Sequence, residues 1–364
     1  MIFVKTEKLR EGMRLAKPIY NKKGVLLYER DSHLSKQGME SIKNFGLIGI
    51  YVLEPAEPCP PMSEEDIEFE RFQTMAFFKL DECLTHMLKD GKPLHLRDFA
   101  DEIVSKYGRL DHKITFQQSL RSGDDYIQKH SLNVALLCAL LTRKLQFRTE
   151  EQIECIMAAL VHEVGKLQIP PDVKKNMTPE NAKETERKYE HGGFSLIENQ
   201  FFSAPQIKRM VSHAFSLRDA IEKGEDITHM KLVAGGKILA AADAFDVMTA
   251  MNDKEEPATL LGALKILQNK QDYYGKDVIK AFIDSLNFLP EGSSVELTNG
   301  EKGLVISAND YDIFRPVVLT YHSNKLIDLR NTGRGGLEIL DIVKKFDARH
   351  VIDRDTLQAA KESL

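Results

Sequence analysis

Apolar residues alternate with polar ones near both ends of the chain and recur at helical spacing between them. Residues 1–55 read as short strands, IFVKT, MRLAKPIY, VLLYE and IGIYVLE, with NKKG as a turn and SKQGMESIKNFG as a helix, which together make a small α+β module. PAEPCPPMSEED, at 55–66, concentrates four of the 13 prolines and ends in an acidic helix start. Residues 56–95 are therefore expected to hold a proline-rich linker and a connecting helix, with Ile67, Phe72, Met75, Phe78, Leu80 and Leu84 at helical spacing. That helix packs on its own domain or offers a face to a second copy or a protein partner. Helical patterns at 97–107, 124–145, 149–161, 179–199, 204–222, 230–251, 257–270 and 275–286 fill residues 96–289, so the middle domain is expected to be all-α. Alternation returns in SVELTNGEKGLVISAND and FRPVVLTYHSNKLIDL, with Asn-Gly and Ser-Asn at turns, which predicts a β-rich C-terminal extension over 290–333. Residues 334–364 form a tail with no clear pattern. The fold class expected is mainly α, a helical bundle preceded by the α+β module and followed by the short β extension.

Composition narrows the function classes. With 42% hydrophobic and 29% charged residues over 364 positions, the chain is globular and long enough for two or three domains that can bury a site. A net charge of −5 provides no field to gather DNA, while a local basic pocket for a phosphate ester is still allowed. Cys59, Cys83, Cys138 and Cys155 lie far apart without CxxC spacing, so neither disulfides nor a cysteine-bound zinc is expected. No window approaches the ~18 uninterrupted apolar residues of a membrane span. A cytoplasmic protein is the expectation.

Candidate chemistry sits in the middle domain. His130 begins the apolar face His130, Val134, Leu137, Leu141, so its imidazole is directed into the bundle. His162 closes the apolar run IECIMAALV, with Glu163 beside it and Gly165 stopping the helix. Asp243 lies in KILAAADAFDVMTA, whose small residues let neighbouring helices approach closely. Imidazoles and carboxylates together suit Fe, Mn, Zn or Co, and one or two such ions can activate water for attack on a phosphate ester. Lys166, four residues beyond His162, is placed to steady a phosphate. Each residue also has a plainer reading: a hydrogen-bonded core histidine, a helix-packing aspartate, a lysine drawn to a helix C-terminus. Neither the HExxH pattern nor a serine or cysteine triad is present, since position 166 holds lysine where HExxH needs histidine.

The ordered blocks DDYIQKHSLNVALLCALL, MAALVHEVGKLQIPPDV, KYEHGGFSLI, MVSHAF and KILAAADAFDVMTA resemble the HD-GYP family of metal-dependent phosphohydrolases, within the HD superfamily. The likeness spans roughly 120 to 290, and the flanking modules resemble those that accompany such domains in bacterial signalling proteins. It implies an HD-type helical bundle, hydrolysis of cyclic di-GMP or another phosphate ester, and metal ligands at His130, His162, Glu163, His191, His213 and Asp243, with Lys166 contacting phosphate and Glu163 sharing in catalysis. Three positions depart from the family pattern. Glu163 replaces the aspartate of the HD pair, Ser212 replaces one of two paired histidines, and no Gly-Tyr-Pro follows. The alternative these departures imply is an inactive regulatory module that binds a nucleotide or a protein partner.

Overall fold

A computed structural model describes residues 2–20, 25–53, 63–178, 180–252, 256–309, 311–332, 336–343 and, in the tail, 356, 358, 360 and 362. The NKKG turn, Cys59 with the prolines before Ser63, and most of the tail lie outside the described residues. The opening module runs β1 (Ile2–Lys5), β2 (Arg14–Leu15), β3 (Ile19–Tyr20), β4 (Leu26–Tyr28), α1 (Lys36–Asn44) and β5 (Gly49–Leu53). β5 is central, antiparallel to β1 and β2, with Phe3 opposite Tyr51 and Leu15 opposite Val52, while β3 and β4 form a separate ribbon. MRLAKPIY gives two strands rather than one because it breaks at Pro18, which has no N–H to donate to a ladder. Leu15, Ile19, Leu34, Ile42, Ile50 and Val52 form this module's own core.

α2 (Glu64–Asp90) starts on a capping box. Ser63 Oγ accepts from the Asp66 N–H at 3.1 Å, Asp66 Oδ2 accepts from the Ser63 N–H at 3.4 Å, and Gly91 ends the helix at φ +65°. The helical domain follows as α3 (Leu96–Lys106), α4 (Tyr126–Lys144), α5 (Thr149–Val161), α6 (Pro171–Lys175), α7 (Ala182–Gln200), α8 (Pro205–Lys223), α9 (Ala234–Thr249), α10 (Leu260–Asn269), α11 (Gln271–Tyr274) and α12 (Lys276–Ser285). α4 is buried at every position from His130 to Thr142, a stretch apolar on most of its circumference, and α5, α9 and α12 pack around it. Gly236 lets α9 close on α8, since a Cβ there would stand 2.8 Å from His213 Cβ.

β6 (Ser294–Leu297), β7 (Lys302–Ser307), β8 (Val317–Thr320), β9 (Leu326–Asp328) and β10 (Ile339–Ile342) complete the described elements as one antiparallel sheet in the order β10-β6-β7-β8-β9. β10 falls where the sequence pattern marks no strand: it is short, and its pairing with β6 rather than its own alternation makes it one. Val295, Leu297, Val305, Val318 and Ile339 join the same core as the helices. No helix among the described residues is long and apolar enough to cross a membrane.

Candidate metal centre

α4, the end of α5 and α9 bring His130, His162, Glu163 and Asp243 together in the interior. One donor atom of each lies within 4.8 Å of every other, and all four residues are buried. His130 stands at the head of the buried stretch of α4. His162 caps α5 in helical conformation, so its ring stays on the face set by the preceding turn, and Glu163 follows before a short 3-10 turn, Val164–Gln168. Asp243 enters from the small-residue face of α9.

The orientation of both imidazoles is fixed from behind. His130 Nδ1–H donates to Asp246 Oδ2 at 2.7 Å, and His162 Nδ1–H donates to the Ala159 carbonyl at 2.6 Å. Their Nε2 atoms therefore face each other at 3.2 Å, with Asp243 Oδ1 3.1 Å and Glu163 Oε1 3.9 Å from His130 Nε2. Three acceptors converge on one nitrogen. Burial opposes a charge on His130, but the Glu163 carboxylate and the hydrogen bonds to Asp243 and Asp246 outweigh it, raising its pKa to about 10. A proton on Nε2 thus occupies the place the other donors share. His162, for which burial dominates, is shifted down. Burial works against ionisation of Glu163 too, yet Lys166, His130 and His162 hold its carboxyl at about 2. Asp243 is likewise ionised, its burial offset chiefly by His130.

Asp246, unmarked in the sequence reading, anchors the support layer. Fully buried, it accepts from Arg121 Nη2 at 2.7 and 2.6 Å, Gln118 Nε2 at 2.9 Å and Asn133 Nδ2 at 2.9 Å besides His130. The signal that could have found it is spacing: Asp246 is three residues beyond Asp243 and Asn133 three beyond His130, so each sits one turn along the same helix face.

Lys166 reaches this group from the 3-10 turn but arrives paired. Its ammonium bonds to Glu163 Oε1 and lies 3.0 Å from Glu190 Oε1 and 3.6 Å from Glu186 Oε2. Glu190, on α7, is gripped in turn by Arg218 of α8 through two bonds of 3.2 and 2.8 Å. Gly165 makes the pairing reachable, because a Cβ there would collide with the Tyr189 carbonyl and hold α7 away. His191 and His213 fall outside the four-residue group. His191 is exposed beside Phe194, their rings 5.7 Å apart, and His213 Nδ1 accepts from the Val233 N–H at 3.0 Å. Ser212 is half-buried on α8.

Residues 114–278 match a family model described as an HD domain. Over 302 residues the chain is 21% identical to a cyclic di-GMP phosphodiesterase of Pseudomonas aeruginosa, an alignment covering 78% of this chain and 72% of that protein. Over 204 residues it is 22% identical to the cyclic di-GMP phosphodiesterase PdeB of Borreliella burgdorferi, covering 55% of this chain and 53% of the other. Among solved structures, an HDG"Y"P protein from Bdellovibrio bacteriovorus aligns at 14% identity with a TM-score of 0.46, over 77% of this chain and 97% of that one.

Proposed function

This chain belongs to the HD-GYP family, and from that premise we propose that it is a metal-dependent phosphodiesterase that holds one divalent ion on His130, His162, Glu163 and Asp243 and acts on a cyclic dinucleotide or a related phosphate ester. The observation that carries this reading is the pair of facing Nε2 atoms, 3.2 Å apart and each fixed by a partner on its Nδ1, beside two ionised carboxylates. Once the His130 proton is displaced, two neutral imidazoles and two carboxylates suit Fe, Mn, Zn or Co. When bound, such an ion polarises a phosphoryl oxygen and makes water nucleophilic near neutral pH.

The chain's own residues supply the rest. Asp246 and Ala159 orient the imidazoles, and displacement of the His130 Nε2 proton frees the fourth donor. Lys166, whose side chain is 13% exposed against 7% for Glu163, stands at the outer edge of the group. Exchange of one of its carboxylates for a phosphate oxygen would neutralise the ester where it meets the site. His191 and His213 lie outside the donor group, so a single ion is the better-supported stoichiometry.

Elemental analysis of the purified protein, with turnover of cyclic di-GMP and bis(p-nitrophenyl) phosphate in Mn2+ or Fe2+, tests the proposal. About one ion per chain with turnover that chelator removes is expected; bound metal without turnover of either ester sinks it. The prior engagement of Lys166 with Glu163 and Glu190 favours a second reading, a regulatory module without catalysis. Under it, the double substitution Glu163→Asp and Ser212→His leaves the biological output unchanged.

A further inference from the structure

A cavity of about 400 Å3 lies where the opening module meets α2, residues 117–122 and the start of α4. None of the four clustered donors lines it. Rings of Tyr20, Phe45, Phe77 and Phe78 supply apolar wall, and two charged side chains more than nine-tenths buried, Lys17 at 6% and Glu70 at 9% exposure, face the space. A buried charge needs a partner; Lys17 and Glu70 attract one another across the space, but only Lys17 has a direct bond. Lys17 Nζ donates to the Gln118 carbonyl at 2.6 Å. The other ammonium in the wall, Lys129, donates to the Leu120 carbonyl at 2.6 Å and pairs with Asp125 at 2.7 Å. Both cations have direct bonds elsewhere, and Lys17 acts on Glu70 only at longer range, as does Arg30. The Glu70 carboxylate makes no hydrogen bond or ion pair among the described residues; Thr74 Oγ1 binds only its main-chain carbonyl, at 2.9 Å. Ser119 Oγ and Gln128 Oε1, both in the wall, are buried without a partner.

These unmet atoms are two acceptors and a hydroxyl, so the missing occupant donates. Four carboxylates in the wall, Glu70, Asp81, Asp124 and Asp125, face two lysines with direct bonds elsewhere, which disfavours an anion such as a phosphate ester. We propose that this cavity is a binding site for a small aromatic amine, its ammonium paired with Glu70 and its ring held among Phe45, Phe77 and Phe78. The aromatic walls favour a cation through the negative faces of their rings, and a ligand ring through edge-to-face or offset packing. Glu70 is then a residue kept for a ligand at a cost to the empty fold.

Calorimetric titration of the full chain with tryptamine, and with indole-3-acetate as the same ring bearing the opposite charge, tests this. Tryptamine is expected to bind and the acid to bind at least about tenfold more weakly. Glu70→Gln keeps the shape and removes the charge that no direct bond meets. It should weaken tryptamine by about tenfold or more while the Tm holds or rises. Thr74→Trp, which fills the cavity from α2, should abolish binding. Absence of tryptamine binding to the wild-type chain, equal binding of the acid, or undiminished affinity in either variant overturns the proposal. A lower Tm in Glu70→Gln with tryptamine affinity intact would do the same, marking Glu70 as structural.

Discussion

At the scale of single residues the centre is a contest between a proton and a cation for His130 Nε2. Because its pKa is raised to about 10, a metal must displace that proton over the whole neutral range. Apparent Mn2+ affinity should therefore climb about tenfold per pH unit from 7 until it levels near 10, read by titration calorimetry in two buffers of different ionisation enthalpy; a flat profile would contradict the assignment. In chelator the same group has an opposite consequence. Its contribution to stability is complete below its ordinary pKa of 6.5 and is lost as pH rises through about 10, whereas that of Glu163 is present above 4.5 and is lost as pH falls through about 2. Urea midpoints of the metal-free protein should decline toward both extremes. Asp246→Asn removes the acceptor behind His130 and leaves Arg121 buried without its carboxylate. A loss of about 3–5 kcal/mol of stability is expected from the guanidinium charge left buried and uncompensated, together with a Mn2+ affinity about 10–100-fold weaker.

Elements matter through how closely they approach. Gly165 reads in the sequence as a helix stop after His162, yet the chain bends there into a 3-10 turn whose glycine lies against the backbone of α7, where a Cβ would stand 3.0 Å from Gly193 N. That contact sets Lys166 within reach of Glu190, a pairing invisible from either segment alone. Gly165→Ala should push α7 outward, costing about 1–3 kcal/mol by overpacking, and should weaken the Lys166 to Glu190 pair. Chemical denaturation and the change in Lys166 Nζ resonance would register both effects; unchanged values would show that the turn has slack. Helix positions themselves were legible: the pattern at 149–161 coincides with α5, and that at 204–222 with α8 to within one residue, because a long apolar stripe at helical spacing admits few alternatives. β10 was not, since a strand of four residues is decided by the partner it pairs with.

For the whole molecule, the donor group lies between helices distant in sequence, so a bound ion would brace the fold. Saturating Mn2+ at about 100 times its Kd should add about 2.7 kcal/mol, seen as a rise in Tm that EDTA reverses; an unchanged Tm would place the ion elsewhere. The opening module is part of the same assembly, since the Ile48 N–H donates to the Arg121 carbonyl at 3.0 Å and Lys17 holds Gln118, whose side chain supports Asp246. Hydrophobic periodicity and the order of the histidine blocks by themselves determined the mainly α architecture, the flanking modules' character and four of the residues that gather in the interior. Tertiary packing alone decided which of the others join them: His213 is turned to the Val233 amide, His191 stays at the surface, and Asp246 and Glu190 take supporting places. The physical reason is that periodicity records which face of a helix avoids water, whereas the convergence of donors depends on the separations between helices, which small residues such as Gly165 and Gly236 set on contact.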